Sequence, residues 1–546
     1  MTFDALLNLV SSGNAPRVSV DSRLVQDGDI FVAVAGTVYD GHAFITQAIA
    51  KGAKYIVCQG YGRETTEDRR QRKYEIVLVG DSAEAAALLA QAARGNPASK
   101  LINLAVTGTN GKTTTAYLVH SVMQTAGHKC GLIGTIIYDT GSSTCQANLT
   151  TPDSPAIAEA QQQMVNAGAK YMVIEASSHA LSQNRLAGIE FKAAAFTNLT
   201  GDHLDYHKTK ESYLAAKTRL FSALSPNATA VLNKQSPEAR HIAEKTKAKI
   251  LWYAVDEPAD ISAHIESMDI NGTTFALQHG CQSSIVNCQS SIVDTPLLGR
   301  HNVSNHLAAA GLCLAAGLDL ETIAAGLSAL EGVPGRLEKV DWSQQRPRVK
   351  RGAKYLAPQF IAGSDSPVKV GDFSVIIDFA HTDDALKNVL TTLKPLCKGR
   401  LIVVFGCGGD RDRTKRPRMA RVAEQLADVV IVTSDNPRTE KPQAIIDEIV
   451  AGFETTDYTD YRGLTQIRNE QHLWSKSMRA PARREAKSVV IEPDRRKAIE
   501  LAITTAGKDD ILLIAGKGHE NYQIIGTQKF AFSDRNVAQE CLRNLT

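Results

Sequence analysis

Four groups of residues are able to do chemistry together. The first is the string LINLAVTGTNGKTTT at 101–115. An apolar run enters a glycine turn, and Gly111-Lys112-Thr113-Thr114 opens a helix. Backbone N–H groups at such a start cradle phosphate oxygens. Lys112 supplies a mobile cation for the outer phosphates, and the Thr113 hydroxyl suits Mg²⁺. The usual pattern has a glycine five residues before the second one; that position is Val106, so Gly108 makes the turn in a shortened variant.

The second group, Glu175 in VIEASSH, falls at a strand end. A carboxylate there is a hard oxygen ligand suited to Mg²⁺, or a helix cap or surface residue. The third, TNLTGDHLDYH at 197–207, packs Asp202, His203, Asp205 and His207 into six residues. With no cysteine among them, a magnesium-nucleotide site fits better than zinc, and a polar surface loop is the alternative. Lys217 follows on an evident helix and by itself reads as a solvated surface lysine.

The fourth group consists of polar loops after apolar runs in the last third: DFAHT at 378–382, GCGGDRD at 406–412, SDNPR at 434–438 and GKGHE at 516–520. At one sheet edge they would form a composite site. Arg411 and Arg438 could grip a carboxylate bidentately, and Glu520 could accept an ammonium, so the set suits a zwitterionic amino-acid centre.

Positioning such loops requires parallel sheets whose strand ends share an edge. Apolar runs at 29–34 and 55–58, with helices at 43–50 and 83–94, predict a small α/β unit. Runs at 101–106, 171–174, 193–196 and 228–232 predict a central parallel sheet. Runs at 374–377, 401–405, 429–432 and 511–514 predict a doubly wound third block. The fold class is therefore α/β with three domains: 1–95, 96–333 and 334–546. Two segments of the last block, 341–370 and 456–487, read as basic insertions or long loops. Together they carry +7 of charge, so the rest of the chain carries −4.

The 546 residues carry a net charge of only +3, which argues against nucleic-acid binding as the main activity. The nine scattered cysteines, with no C-x-x-C pair, read as free thiols in a reducing compartment. No signal peptide or bilayer-spanning run is evident, so a cytoplasmic protein is expected.

In order, these motifs resemble those of the Mur ligases of bacterial cell-wall synthesis. The matching strings are Asp21-Ser22-Arg23, GTNGKTTT, NLTTPDS, IEASSHAL, TNLTGDHLDYH, LGRHNVSN, VPGRLE, DFAHT, GCGGDRD, DNPR and GKGHE. They span nearly the whole chain apart from the two basic segments. Phe379 stands where tyrosine is common, and Asp383 where proline is common; both leave Asp378 and His381 in place.

The resemblance implies a small α/β uridine-nucleotide domain, a central P-loop ATPase domain and a Rossmann-like amino-acid domain. It implies that ATP phosphorylates a D-glutamyl γ-carboxylate of UDP-N-acetylmuramoyl-L-Ala-D-Glu, and that an amine attacks the acyl phosphate. Gly108, Thr109, Asn110, Gly111, Lys112, Thr113, Thr114, Asn302, Arg336, Asp378 and His381 would contact ATP. Thr113, Glu175 and His203 match metal-linked positions. Lys217 matches a lysine that is carbamylated in the family, so that CO₂ turns a cation into an anion able to hold a second Mg²⁺. Lys112, Lys217 and His203 are the catalytic candidates. Ser22, Thr150, Thr151, Ser177, Gln183 and Arg185 resemble contacts to the UDP substrate.

DNPR resembles the signature of members that add meso-2,6-diaminopimelate. Arg411, Asp435, Asn436, Pro437 and Arg438, with Gly516 and Glu520, would form that site and serve the distal amino-carboxylate centre, which lysine lacks. A monomer is expected. The rivals are a lysine-adding or folylpolyglutamate synthetase-like ligase, a P-loop switch or motor, and a noncatalytic scaffold.

Overall fold

The computed structural model describes residues 1–12, 15–36, 39–60, 73–200, 204–280, 289–340, 373–454, 458–460 and 488–545. They fall into two compact units. The first comprises Met1–Ser267, Thr274–Thr295 and His301–Glu331; the second comprises Met268–Thr273, Pro296–Arg300 and Gly332–Thr546.

The first unit holds two sheets. A four-stranded parallel sheet runs Val18–Ser19, Ile30–Val32, Tyr55–Cys58, Glu75–Leu78. The helix Ser82–Ala93 packs its alanine-rich face on it, with Asp81 capping the Ala83 and Glu84 amides. Gly95 (φ 69°) and Asn96 (φ 52°) then turn the chain in left-handed conformation. This layer is tied to the next sheet by Gln91 Nε2 to Gln161 Oε1 at 2.6 Å and Asn184 Nδ2 to Asp81 Oδ2 at 2.7 Å.

The larger sheet has eleven strands among the described residues. Its centre runs Thr229–Asn233, Phe191–Phe196, Ile102–Thr107, Tyr171–Glu175, Cys130–Ile133, all parallel. Short apolar runs buried on both faces explain the parallel arrangement. The sequence runs at 101–106, 171–174, 193–196 and 228–232 all become strands of this centre. The outer strands were not foreseen: Ile137–Asp139 and Thr144–Gln146 add antiparallel on one side, and Lys249–Val255, Ile261–Asp269, Gly272–His279 and Gln289–Thr295 extend the other. Gly272–His279 alternates buried with part-buried residues and the two antiparallel strands are only three residues long, whereas Lys249–Val255, KILWYAV, carries an apolar run that was passed over.

Among the described residues, the second unit holds a seven-stranded sheet in the order Glu338–Lys339, Ser374–Asp378, Ile511–Ala515, Leu401–Phe405, Val429–Val432, Ser488–Ile491, Tyr458–Asp460. All neighbours are parallel except the first pair. Runs such as LIVVF and ILLIA are wholly buried between two apolar layers. The predicted loop reading of 456–487 fails at Tyr458–Asp460, an edge strand paired to Ser488–Ile491. The rest of that segment, and all of 341–370, lie outside the described residues. No helix among the described residues is long and apolar enough to cross a membrane.

Candidate active site

In the first unit, the strand Ile102–Thr107 leads through residues 108–111 into the helix Lys112–Thr125. Gly108 (φ 152°) and Gly111 (φ 89°) have no substitute here. A Cβ on Gly108 would stand 1.8 Å from Thr197 Oγ1, and one on Gly111 2.2 Å from Asn305 Oδ1. The neighbouring strand end braces the loop. Asn198 accepts the Thr109 amide with its carbonyl at 2.8 Å and the Asn110 amide with Oδ1 at 2.9 Å, and Thr197 Oγ1 donates to Asn110 O at 2.6 Å. Thr114 is buried in the helix's first turn.

Lys112 folds back so that Nζ donates to Gly108 O at 2.9 Å and Thr109 O at 2.8 Å. Lys217 corrects its surface reading. It is 1% exposed, its Nζ donates to Gly108 O at 2.8 Å, and it lies 4.4 Å from the centre of the Tyr213 ring. Tyr213 in turn reaches Thr109 Oγ1 at 3.2 Å. The helix Lys210–Ser222 thus turns a lysine inward onto the loop that Lys112 opens.

Glu175 is neither a cap nor a surface residue. It is the last residue of its strand and fully buried. Its Oε2 accepts from Thr113 Oγ1 at 3.0 Å and Thr135 Oγ1 at 2.9 Å, and its Oε1 from the Thr135 amide at 2.8 Å. Among the described residues, these hydrogen-bond partners are neutral groups. A buried anion beside hydroxyl oxygens fits a hard divalent cation, with Thr113 and Glu175 as the residues that could hold it. Thr135 carries no motif signal and was missed; it follows the strand Cys130–Ile133, which borders that of Glu175.

His203, together with Gly201 and Asp202, lies outside the described residues. His207 packs among aromatic rings instead, 5.1 Å from Tyr213 and 5.7 Å from His179. The 197–207 segment is not simply a polar surface loop, since Thr197 and Leu199 are buried.

Around Glu175 the structure gathers several of the expected UDP-substrate residues. Thr150 Oγ1 lies 3.1 Å from Thr135 Oγ1. Thr151 Oγ1 donates to Glu175 O at 2.6 Å, and Ser177 caps the helix Ser178–Ser182. Arg185 donates to Thr151 O and is held by Gln183 Oε1, each at 2.7 Å. Burial pushes its guanidinium below its ordinary pKa. Ser22 sits in the four-stranded layer, donating to Gln47 Oε1 at 2.8 Å. Asn302 is buried on the helix Arg300–Ala315, accepting from Asn305 Nδ2 at 3.0 Å.

Arg336, Asp378 and His381 belong to the second unit. Asp378 caps two amides, Leu337 and Ala380, each at 2.7 Å, and burial pushes its carboxyl up despite Arg336. Arg336 stacks 4.6 Å over Phe379, whose ring also meets His381 at 4.6 Å and His519 at 5.1 Å. Burial, with Arg336 adding to it, pushes the His519 imidazole down to about 3. The turn carrying Arg336 touches the GKGHE loop backbone to backbone. A Cβ on Gly335 would stand 2.1 Å from His519 N, and one on Gly518 2.9 Å from Gly335 O.

The other three strand-end loops of this sheet meet as expected. Gly409 N donates to Asn436 O at 2.9 Å, and Arg438 Nη1 to Gly409 O at 2.7 Å. Asn436 Nδ2 donates to Glu520 Oε2 at 2.8 Å. Arg411 is exposed, and its Cγ and Arg438 Nη1 both flank Gly408. Burial and then the Arg411 charge hold the Arg438 guanidinium below its ordinary pKa. Arg438 (φ 51°) is fixed by a strand of the hairpin Tyr522–Ile525/Gln528–Ala531, donating to Ile524 O at 3.1 Å and receiving Gly526 N at 2.7 Å. Gly516 (φ 113°) approaches Asp435 so closely that a Cβ would lie 3.2 Å from Oδ2; Pro437 closes the tip, its carbonyl oxygen 1.9 Å from where a Gly409 Cβ would stand.

Three residues behind these loops were missed. Arg416 is fully buried, paired to Glu440 at 2.7 Å and Glu448 at 2.8 Å. Glu440 also accepts the Asp410 amide at 2.7 Å. Lys517 is fully buried between glycines of a loop already singled out, where a lysine at a strand end was the available signal.

The first unit thus sets a glycine-turned strand-to-helix loop beside a buried carboxylate, and the second gathers two arginines and a glutamate at one edge of another sheet. Family models agree along the chain: residues 106–313 match the Mur ligase middle domain, 366–518 the glutamate ligase domain of Mur ligases, and 16–94 the Mur ligase family catalytic domain. The chain belongs to the Mur ligase family. Its relatives include the UDP-N-acetylmuramoyl-L-alanyl-D-glutamate–2,6-diaminopimelate ligases of Gloeobacter violaceus, 41% identical over 96% of this chain and 93% of that protein, and of Geobacillus kaustophilus, 40% identical over 96% and 94%. A solved structure of a ligase with the same name is 30% identical, covers 97% of this chain and 94% of its own, and superposes with a TM-score of 0.59. The Thermotoga maritima MurF ligase, solved with ADP, shares the Mur ligase fold at 17% identity, 98% and 97% coverage, and a TM-score of 0.56.

Proposed function

We propose that this Mur ligase joins meso-2,6-diaminopimelate to the D-glutamyl γ-carboxylate of UDP-N-acetylmuramoyl-L-Ala-D-Glu, using ATP, in peptidoglycan precursor synthesis. The observation that carries the amino-acid assignment is the joining of DNPR to GKGHE through Asn436 and Glu520, with Arg411 and Arg438 on the same loop set.

A carboxylate is a poor electrophile. One of its oxygens attacks the γ-phosphorus of ATP, and ADP leaves. The amine of the amino acid then attacks the acyl carbon, and phosphate departs from the tetrahedral intermediate. Lys112 and the amides of residues 111–114 neutralise and orient the phosphates. Thr113 and Glu175 would hold Mg²⁺, which supplies charge neutralisation at the transferring phosphoryl group; His203 is assigned there by resemblance. A carbamate on Lys217 would keep one N–H for Gly108 O while presenting oxygens to a second Mg²⁺. Asn302, Arg336, Asp378 and His381 are assigned to the nucleotide. Ser22, Thr150, Thr151, Ser177, Gln183 and Arg185 are assigned to the UDP substrate. Arg411 and Arg438 take the distal carboxylate of diaminopimelate, and the Gly516 carbonyl and Glu520 its ammonium. Domain limits at 95 and 333, a monomeric state and a cytoplasmic location complete the proposal.

The test is phosphate release with ATP, Mg²⁺ and the UDP-dipeptide, in parallel with meso-diaminopimelate, L-lysine or no amino acid. Release only with diaminopimelate, with a UDP-tripeptide of matching mass, is the expected result. Release with lysine would overturn the amino-acid assignment, and equal release in all three would indicate an uncoupled ATPase.

A further inference from the structure

Two non-glycine residues of the amino-acid loops hold left-handed backbone, Asp410 (φ 52°) and Arg438 (φ 51°). Such a conformation persists where its surroundings over-determine it. Here much of that surrounding is the opposite loop.

The joint between the two loops is reciprocal. The Asp410 amide donates to Glu440 Oε1 at 2.7 Å. In return, the Asp410 carboxylate takes the residue before Glu440. Its Oδ2 accepts the Thr439 amide at 3.1 Å, and its Oδ1 accepts Thr439 Oγ1 at 2.8 Å. Each loop thus supplies a carboxylate to a backbone N–H of the other. Glu440 is itself anchored by the buried Arg416, which also donates to Gly408 O at 3.2 Å.

Place in the chain gives this joint its use. Arg411 follows Asp410, and Arg438 precedes Thr439. The two guanidiniums assigned to the distal carboxylate therefore reach out from either side of one set of hydrogen bonds. Long side chains lose rotamer freedom when they grip a ligand. Two of them converge on one carboxylate only if their anchor points keep a fixed separation. The hairpin contacts of Arg438, to Ile524 O and from Gly526 N, hold that residue alone. Asp410 ties its position to that of Arg411.

We propose that Asp410 is a positioning residue: its side chain, clasped on Thr439, fixes the backbone separation of Arg411 and Arg438 so that both guanidiniums meet one carboxylate. The inference rests on the reading of these arginines as the grip on the distal carboxylate of diaminopimelate. Asp410 acts through them and needs no contact with the ligand.

The test uses two variants. Asp410→Gly removes the carboxylate and accepts left-handed φ without strain, and the exposed position leaves no cavity. Asp410→Asn removes the charge but keeps the clasp, with Oδ1 for the Thr439 amide and its NH₂ for the Thr439 hydroxyl, which can accept. KM for meso-diaminopimelate, ATP and the UDP-dipeptide is measured for each; KM does not depend on the fraction of active protein. Asp410→Gly should raise KM for diaminopimelate about tenfold and leave the other two within about twofold. Asp410→Asn should stay within about twofold of wild type throughout. In an Arg411→Ala/Arg438→Ala background, Asp410→Gly should add less than about twofold, because nothing is left to position. An equal rise in both backgrounds would make Asp410 a ligand contact or a general support of the fold. No rise in Asp410→Gly would make the clasp idle, and a rise in Asp410→Asn equal to that in Asp410→Gly would make charge the operative property. Each of these overturns the proposal. An unchanged KM after loss of both arginines, or a wild type that does not use diaminopimelate, would instead overturn the functional reading beneath it.

Discussion

Lys112 and Lys217 share one acceptor. Their ammonium nitrogens lie 2.9 and 2.8 Å from the same oxygen, the carbonyl of Gly108. Two cations converging on one carbonyl repel each other, and that repulsion is relieved when an anion lies between them. A nucleotide phosphate does this from outside. Carbamylation does it from within, by making one of the two an anion. Lys112→Ala should abolish ATP-dependent ligation by at least a hundredfold, read as UDP-tripeptide formation.

Carbamylation of Lys217 is directly observable. Protein equilibrated with ¹³C-bicarbonate should give a carbamate carbon signal in NMR that is absent from Lys217→Ala. Turnover of wild type should slow in bicarbonate-depleted buffer. A wild-type spectrum without the signal, and turnover indifferent to bicarbonate, would refute the assignment.

The glycines of the phosphate loop set a steric limit. At Gly111, φ is 89° and an added Cβ would stand 2.2 Å from Asn305 Oδ1. Gly111→Ala should destabilise the first unit by about 1–3 kcal/mol, from left-handed strain plus the displaced Asn305. Denaturant unfolding, monitored with and without ATP, measures both the loss of stability and the weakened nucleotide binding.

Arg411 and Arg438 should separate in their effects. Arg411→Ala removes an exposed guanidinium and should raise KM for diaminopimelate about tenfold or more, with little change in stability. Arg438→Ala should raise KM too. It also removes the donor to Gly409 O, so the loop joint loosens and the melting temperature should fall. Steady-state kinetics beside thermal unfolding distinguishes the two.

Glu440 gives a pH dependence of definite sign. Hydrogen bonding to Arg416 holds its carboxyl down from 4.5 to about 2. A pKa lowered by folding contributes stability that is fully present above pH 4.5. It is lost as the pH falls through about 2. The Asp410 amide, which donates to Glu440, reports on it locally. Its hydrogen-exchange protection, corrected for the intrinsic rate, should decline across that window in wild type and be lower but flatter in Glu440→Gln.

The strands that position both sites were legible because parallel strands buried on two faces are unbroken apolar runs, as at Leu401–Phe405. The glycine-turned loop at 108–111 and the four strand-end loops followed from glycine and charge patterns. Lys217 was not legible as buried. One lysine on a mixed helix carries no sign of its direction, and only the loop it meets, more than 100 residues earlier, decides it. Thr135 and Arg416 were silent for the same reason: each acts on a distant partner, Glu175 or Glu440. The outer strand Thr144–Gln146 of the large sheet is exposed and lacks an apolar run.

The touching backbones of Gly335 and Gly518 have a consequence for how this unit can change. Neither glycine leaves room for a methyl group on its neighbour's side. Arg336, one residue from the first, and Glu520, two residues from the second, are therefore indexed to a common point of contact. A residue inserted in one turn would shift the other by the same displacement. The two turns can diverge only as a pair, so substitutions that are tolerated in either should come with a matching change in its counterpart.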